Sequence, residues 1–321
     1  MTEETVSLEV LENRVRRRED RREFFRAFAG VAAAGGAATA LSTSAFAQTA
    51  APTDADILNF ALNLEYLEAQ FYVQAVFGQG LPADQLSGTG TRGEATGGRL
   101  VNFTDPIVRQ YAVEIAQDER NHVRFLRTAL GGAAVAQPAI DISAGPNGPF
   151  SNAARAAGLI GPGQSFDPYA NDEFFLLGAF IFEDVGVTAY KGASPLIANP
   201  DTLEAAAGLL AVEAYHAALV RTTLFRKGIQ TPSLGLIEAT ESISTARDNL
   251  DGPTDLDQGI RPVSTRFGEG SNIFPSDADG LAFSRSPGQV LNIVYLNRMA
   301  VTAGGFFPNG VNGTFRTSGA N

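Results

Sequence analysis

From Asp54 onward, apolar side chains fall three and four residues apart: Ile57, Phe60, Ala61, Leu64, Leu67, Phe71 and Val76. That is the period of a packed helix face. It predicts a first helix over about 54–77, capped by Thr53 or Asp54 and stopped by Gly78. A second helix, about 105–130, starts with Asp105 as cap and Pro106 in the first turn, where a missing N–H costs nothing, and stops at Gly131-Gly132. A third covers about 171–190, with Gly192 beyond its end. A fourth, about 200–226, opens with the same device at Asn199-Pro200 and closes on Lys227-Gly228, a cation and a glycine at the negative end of the helix dipole. Further helices are expected from Ser233 to about Asn249 and from Ser286-Pro287 to about Ala300, with a short one near 152–157. The tail GGFFPNGVNGTF reads as an ordered aromatic and glycine loop.

Four long helices, with the Gly-, Pro-, Ala- and Ser-rich segment 131–170 between the second and third, predict an all-α fold. It is a four-helix bundle with one long crossover, Gly-rich insertions that can carry short strands, and additional helices in a C-terminal extension over 229–321. The 321 residues suffice for a real hydrophobic core, and 44% apolar with 18% charged residues is globular composition. A net charge of −11 argues against a general nucleic-acid binder. The absence of cysteine excludes disulfide scaffolds, iron–sulfur clusters, zinc-thiolate sites and cysteine nucleophiles.

The first 47 residues read as a leader rather than as part of the fold. Arg21-Arg22 precede an Ala- and Gly-rich apolar run from Ala27, and Ala45-Phe46-Ala47 forms a small-residue cleavage pattern before Gln48. This resembles a twin-arginine export signal. It implies an exported, periplasmic or extracellular protein spanning 48–321, with no stable membrane insertion after cleavage. No other stretch reads as a membrane span.

The chemistry is concentrated in the two histidines. His122 follows Glu119 by three residues in the second helix, and His216 follows Glu213 by three in the fourth. Residues three apart share a helix face, so each carboxylate–imidazole pair can converge on one inward point. Helices one and three echo each other: aligning Glu65 with Glu183 places Tyr72 on Tyr190 and Glu68 on Gly186. Helices two and four do the same, with Arg127 on Arg221. The chain thus reads as two copies of a helix pair, one offering Glu65, Glu119 and His122, the other Glu183, Glu213 and His216. Four carboxylates in an apolar bundle repel each other and lose hydration, and two divalent cations would neutralise them. Glu68 competes with Glu65, one turn away, and the repeat favours Glu65. Tyr72 and Tyr190 either pack in the core, or hydrogen-bond a ligand carboxylate or relay an electron. Arg127 and Arg221 read as surface or interhelix salt-bridge residues, and Glu114 as solvated.

The layout resembles the ferritin-like di-iron and di-manganese carboxylate bundles, in which two helices each give a Glu and two give Glu-x-x-His. DADILNFALNLEYLEAQFY, DERNHVRFLR and GQVLNIVYLN with GGFFPNG are more closely similar to exported bacterial ferritin-like proteins related to plant desiccation-associated proteins. The resemblance covers roughly 54–310. It implies that Glu65, Glu119, His122, Glu183, Glu213 and His216 ligate two Fe or two Mn ions per chain. It also implies that Asp118, preceding Glu119, holds an imidazole on the opposite helix; the matching position is Val212, so this support is one-sided. Carboxylate and imidazole ligands accept iron and manganese alike, and dioxygen or peroxide is the expected substrate, in stress protection. A non-enzymatic protective protein with a structural or vestigial metal site is the alternative. Ferritin-type storage and homo-oligomerisation stay open.

Overall fold

The computed structural model describes residues 51–321. Among them are seven α-helices: α1 (Asp54–Phe77), α2 (Pro106–Leu130), α3 (Pro149–Ala156), α4 (Asp172–Ala193), α5 (Pro200–Gln230), α6 (Leu236–Asp251) and α7 (Pro287–Val294). Two short strands, β1 (Ala95–Thr96) and β2 (Ile140–Asp141), pair in parallel and tie the two Gly-rich insertions together. β3 (Val263–Thr265) and β4 (Gly268–Gly270) form a hairpin in the C-terminal extension. The export segment proposed for 1–47 lies outside the described residues.

The four long helices start as the sequence predicts. Thr53 and Asp56 form a capping box on α1. Asp105 accepts from the amides of Ile107 and Val108 on α2, Asn171 from Phe174 on α4, and Asn199 from Asp201 and Thr202 on α5. Each satisfies amides that have no partner within the helix, worth about 1 kcal/mol per cap.

The helices pair antiparallel. Asn59, near the start of α1, donates to the carbonyl of Ala133 beyond the end of α2. Lys227, near the end of α5, lies 3.0 Å from Glu173 at the start of α4 and 3.3 Å from Asp105 at the start of α2. Asp54 accepts from the amides of Ala198 and Asn199, which joins the start of α1 to the α4–α5 turn. The result is the ferritin-like four-helix bundle with its long crossover between α2 and α4.

Several helix ends differ from the sequence expectation. α5 runs on to Gln230, because Gly228 is a packing contact rather than a stop: a Cβ there would meet Ile237 of α6 at 3.0 Å. Gly192 likewise lies inside α4, where a Cβ would fall 2.0 Å from the carbonyl oxygen of Arg285. Pro232–Leu234 form a separate 3-10 turn, so α6 begins at Leu236. α7 stops at Val294 instead of Ala300. There Leu296 turns left-handed (φ 52°), the amide of Phe306 takes the Val294 carbonyl, and Asn292 binds the carbonyls of Asn297 and Gly319. By length and composition α5 also passes as a candidate membrane span, contrary to the reading that no further stretch would. Its buried face nevertheless carries Glu213, His216 and Arg221.

α1 and α4 are enclosed on nearly every side, unlike α2 and α5, which bury one face. Phe71 of α1 packs among Phe150, Tyr169, Phe175 and Phe182, and Phe306 of the tail packs on Phe150 and Phe182. The C-terminal extension grips α4 along one stripe. Arg247 donates to the Phe180 carbonyl and, with Arg221, to Asp184; Arg285 donates to Thr188. Asp257 and Asp251 complete this buried chain of alternating charge.

Candidate metal centre

The bundle brings the six predicted donors to one place. α1 supplies Glu65, α2 Glu119 and His122, α4 Glu183, and α5 Glu213 and His216; none is more than 6% exposed. Donor atoms of Glu65, Glu119, His122 and Glu213 lie within 4.8 Å of one another, and so do those of Glu183, Glu213 and His216. Glu213 belongs to both groups. His122 Nδ1 is 3.2 Å from Glu65 and 3.3 Å from Glu213. His216 Nδ1 is 3.1 Å from Glu119 and 3.8 Å from Glu183. With His122 Nδ1 3.8 Å away on its other side, Glu119 stands between the two imidazoles.

Apart from the hydrogen bond between His122 and Glu65, these atoms converge without satisfying one another. Both oxygens of Glu119 and of Glu213, one oxygen of Glu183 and Nδ1 of His216 are buried with no aligned hydrogen-bond partner. Leaving a buried polar atom unpaired costs about 1–3 kcal/mol, more when it is charged. Six such atoms around two overlapping points fit a pair of cations held by carboxylate and imidazole donors, with Glu213 common to both groups. This is a dinuclear metal-binding cluster of Glu and His residues, of a donor type that accepts iron and manganese.

The protein's own groups carry the imprint of that crowding. Burial pushes Glu65 up to about 8, partly offset by His122. Burial also raises Glu183 and Glu213, helped in both by neighbouring glutamates. Burial alone would lower both histidines, but the surrounding carboxylates outweigh it. They lift His216 to about 10 and His122 further. Glu119 goes the other way: burial is overcome by the two imidazoles beside it, which hold it below the ordinary carboxylate range.

The tyrosines cross between the halves. Tyr72 of α1 donates its hydroxyl to Glu183 of α4, and Tyr190 of α4 donates to Glu65 of α1. Both phenols are held well above their ordinary pKa by burial and by these glutamates. Asp118 Oδ2 lies 3.3 Å from His216 Nε2, the far ring nitrogen, where a carboxylate fixes tautomer and ring orientation. Glu114 is exposed. Arg221 is fully buried and salt-bridged to Asp184 at 2.8 Å, whereas Arg127 is half-buried and donates to the Tyr66 hydroxyl at 2.6 Å. Glu68 does not drop out in favour of Glu65. It too is buried, facing Gly186 and Glu213 at the edge of the cluster. The sequence marked it only as a competitor, and it carried no mark at all for Arg247, Asp257 and Arg285.

The ferritin-like domain family matches residues 53–226, the whole four-helix bundle with its crossover. The chain belongs to the ferritin-like domain family. Among curated relatives, the desiccation-related protein PCC13-62 of Craterostigma plantagineum is 32% identical over 269 residues, covering 81% of this chain and 83% of the plant protein. The ferritin-like catalase Nec2 of Nesocodon mauritianus is 31% identical over 268 residues, covering 81% and 84%. Both matches are longer than the 53–226 bundle, so this ferritin-like chain shares more with those plant proteins than the four helices alone.

Proposed function

We propose that this ferritin-like protein is an oxidoreductase that holds two iron or two manganese ions and acts on hydrogen peroxide or dioxygen in stress protection. The observation that carries the reading is the set of unpartnered donor atoms converging from α1, α2, α4 and α5. The similarity to a protein named as a catalase supports peroxide as substrate. Glu65, Glu119, His122, Glu183, Glu213 and His216 would hold the two ions, with Glu213 common to both groups of donors. When bound, the two ions supply reversible two-electron chemistry, enough to take 2 H₂O₂ to 2 H₂O and O₂.

The chain's residues do the rest. The imidazoles, once neutral, and the ionised carboxylates fix both ions in a low-dielectric interior that excludes bulk water. Asp118 orients His216. Tyr72 and Tyr190 each hold one carboxylate, Glu183 and Glu65 respectively, by a hydroxyl proton, which restrains its swing and places a phenol at the site for proton or electron relay. Oxygen evolution from peroxide by the metal-loaded protein tests the reading. Its loss in Glu213→Ala is expected, and an inert loaded protein overturns it.

A second reading has one observation in its favour, the similarity to a desiccation-related protein. Here the bundle protects as a scaffold, and replacing His122 and His216 leaves protection intact. The enzyme reading expects that protection to be lost. The Arg21-Arg22 and Ala45-Phe46-Ala47 patterns support export with residues 1–47 as a leader; finding the chain in the cytoplasmic fraction overturns this.

A further inference from the structure

The internal repeat breaks at one pair inside the bundle. Glu68 of α1 corresponds to Gly186 of α4, and the two face each other beside the metal cluster. A Cβ on Gly186 would sit 2.5 Å from Glu213 Oε2 and 3.5 Å from Glu68 Oε1, so one half of the repeat carries a carboxylate and the other a gap that Glu213 fills and Glu68 borders.

Two cavities meet at this pair. Glu68, Gly186 and Leu64 line both. One runs inward past Phe182 and Phe306, and the other runs between α1 and α4 past Ala61, Ala189 and Tyr190. Each has about 20 Å³ of free room, space for one or two water-sized molecules. Ala61 and Leu64 are half-buried, so the second cavity approaches the surface there. Glu68 is the charged side chain in a lining that is otherwise hydrocarbon apart from the Tyr190 hydroxyl, and that hydroxyl is already given to Glu65. No hydrogen bond from another residue occupies the Glu68 carboxyl among the described residues.

Resting on the oxidoreductase reading above, we infer that the groove between α1 and α4 is the entry path to the metal centre, selective for hydrogen peroxide by size, and that Glu68 hydrogen-bonds the peroxide at its inner end. Apolar walls admit a small neutral molecule and bind it weakly. A carboxyl at the end gives peroxide, a donor and an acceptor, a partner that dioxygen cannot use. A room of this size excludes hydroperoxides with a branched alkyl group.

The test uses the metal-loaded protein, azide as a small probe of the metals that enters as neutral hydrazoic acid, and hydrogen peroxide against tert-butyl hydroperoxide. Ala61→Phe narrows the mouth. With two metals retained, it is expected to slow azide association and peroxide turnover about tenfold, the order by which apolar pockets discriminate. Leu64→Ala widens the path. It is expected to admit tert-butyl hydroperoxide, a gain that misfolding cannot produce. Glu68→Leu is expected to lower peroxide turnover about tenfold with both metals kept. Unchanged azide association in Ala61→Phe overturns the path, whether or not the unmodified protein turns peroxide over, so failure of the path and failure of the oxidoreductase reading are told apart. Loss of one metal in Glu68→Leu overturns the role of Glu68 and makes it a ligand.

Discussion

Tyr72 on α1 hydrogen-bonds Glu183 on α4, the glutamate of the other half of the repeat. Tyr190 returns the contact to Glu65. Neither tyrosine serves its own helix, so the two halves are locked to each other at the depth of the metal cluster. A partner holding a ligand carboxylate is commonly worth about 10–100-fold in metal affinity. Tyr72→Phe is therefore expected to weaken the ion beside Glu183 by about tenfold, and Tyr190→Phe the ion beside Glu65. Competitive chelator titration, read as two separate steps, checks this. Equal weakening of both ions in either variant contradicts it.

The metal-free protein should lose stability as pH rises. Glu65 is raised in the folded state to about 8 from an ordinary 4.5, and His216 to about 10 from 6.5. In both cases the folded chain binds protons more tightly than the unfolded chain. The benefit is complete below the unfolded value and disappears as pH climbs through the folded one. The window runs from about 4.5 to 8 for Glu65 and from about 6.5 to 10 for His216. Denaturant midpoints of chelated protein across that range should fall steadily. Cations replace those protons, so loading should flatten the profile and release protons to the buffer. A chelated protein equally stable at both ends of the range contradicts the account.

Gly186→Ala probes the tightest contact at the cluster. Its Cβ would stand 2.5 Å from Glu213 Oε2, the side chain shared by both donor groups. A shift of Glu213 disturbs both ions, so metal content should fall for both together while helical circular dichroism persists. A variant that keeps both ions contradicts the shared role of Glu213.

Arg247 joins the C-terminal extension to the bundle. It lies 3.1 Å from Asp184 and 2.9 Å from Asp257, donates to the Phe180 carbonyl at 2.7 Å, and sits over the Phe180 ring. Removing one member of a buried ion pair leaves an uncompensated charge, typically at a cost of about 3–5 kcal/mol. Arg247→Met should lower unfolding free energy by about that amount in a urea titration. A change below about 1 kcal/mol, the range of exposed pairs, contradicts it.

The bundle and the six-residue cluster were legible in the sequence because both are local in period. Caps and prolines mark helix starts, and Glu-x-x-His places two donors on one face. The repeat then carries Glu65 onto Glu183. The repeat also pairs Arg127 with Arg221, and the structure gives these different partners, Tyr66 and Asp184, at corresponding positions of α1 and α4. The burial of Arg221 was not legible, since its cage of carbonyls comes from Gln258, Gly259, Asn272 and Ile273 in the extension. Helix ends failed where a glycine serves a contact instead of a stop, as at Gly192 and Gly228. Such a glycine looks the same in sequence as a terminator, and only the approach of Arg285 or Ile237 distinguishes it. Glu68 was underrated for the same reason: the gap at Gly186 that it borders belongs to a helix more than a hundred residues away.

The most direct measurement is elemental analysis of gently purified protein, with iron and manganese counted per chain. Two ions per chain are predicted, falling to none in Glu213→Ala with the helical content unchanged. One ion or none in the unmodified protein, or two that survive the loss of Glu213, would contradict a shared centre built from all four helices.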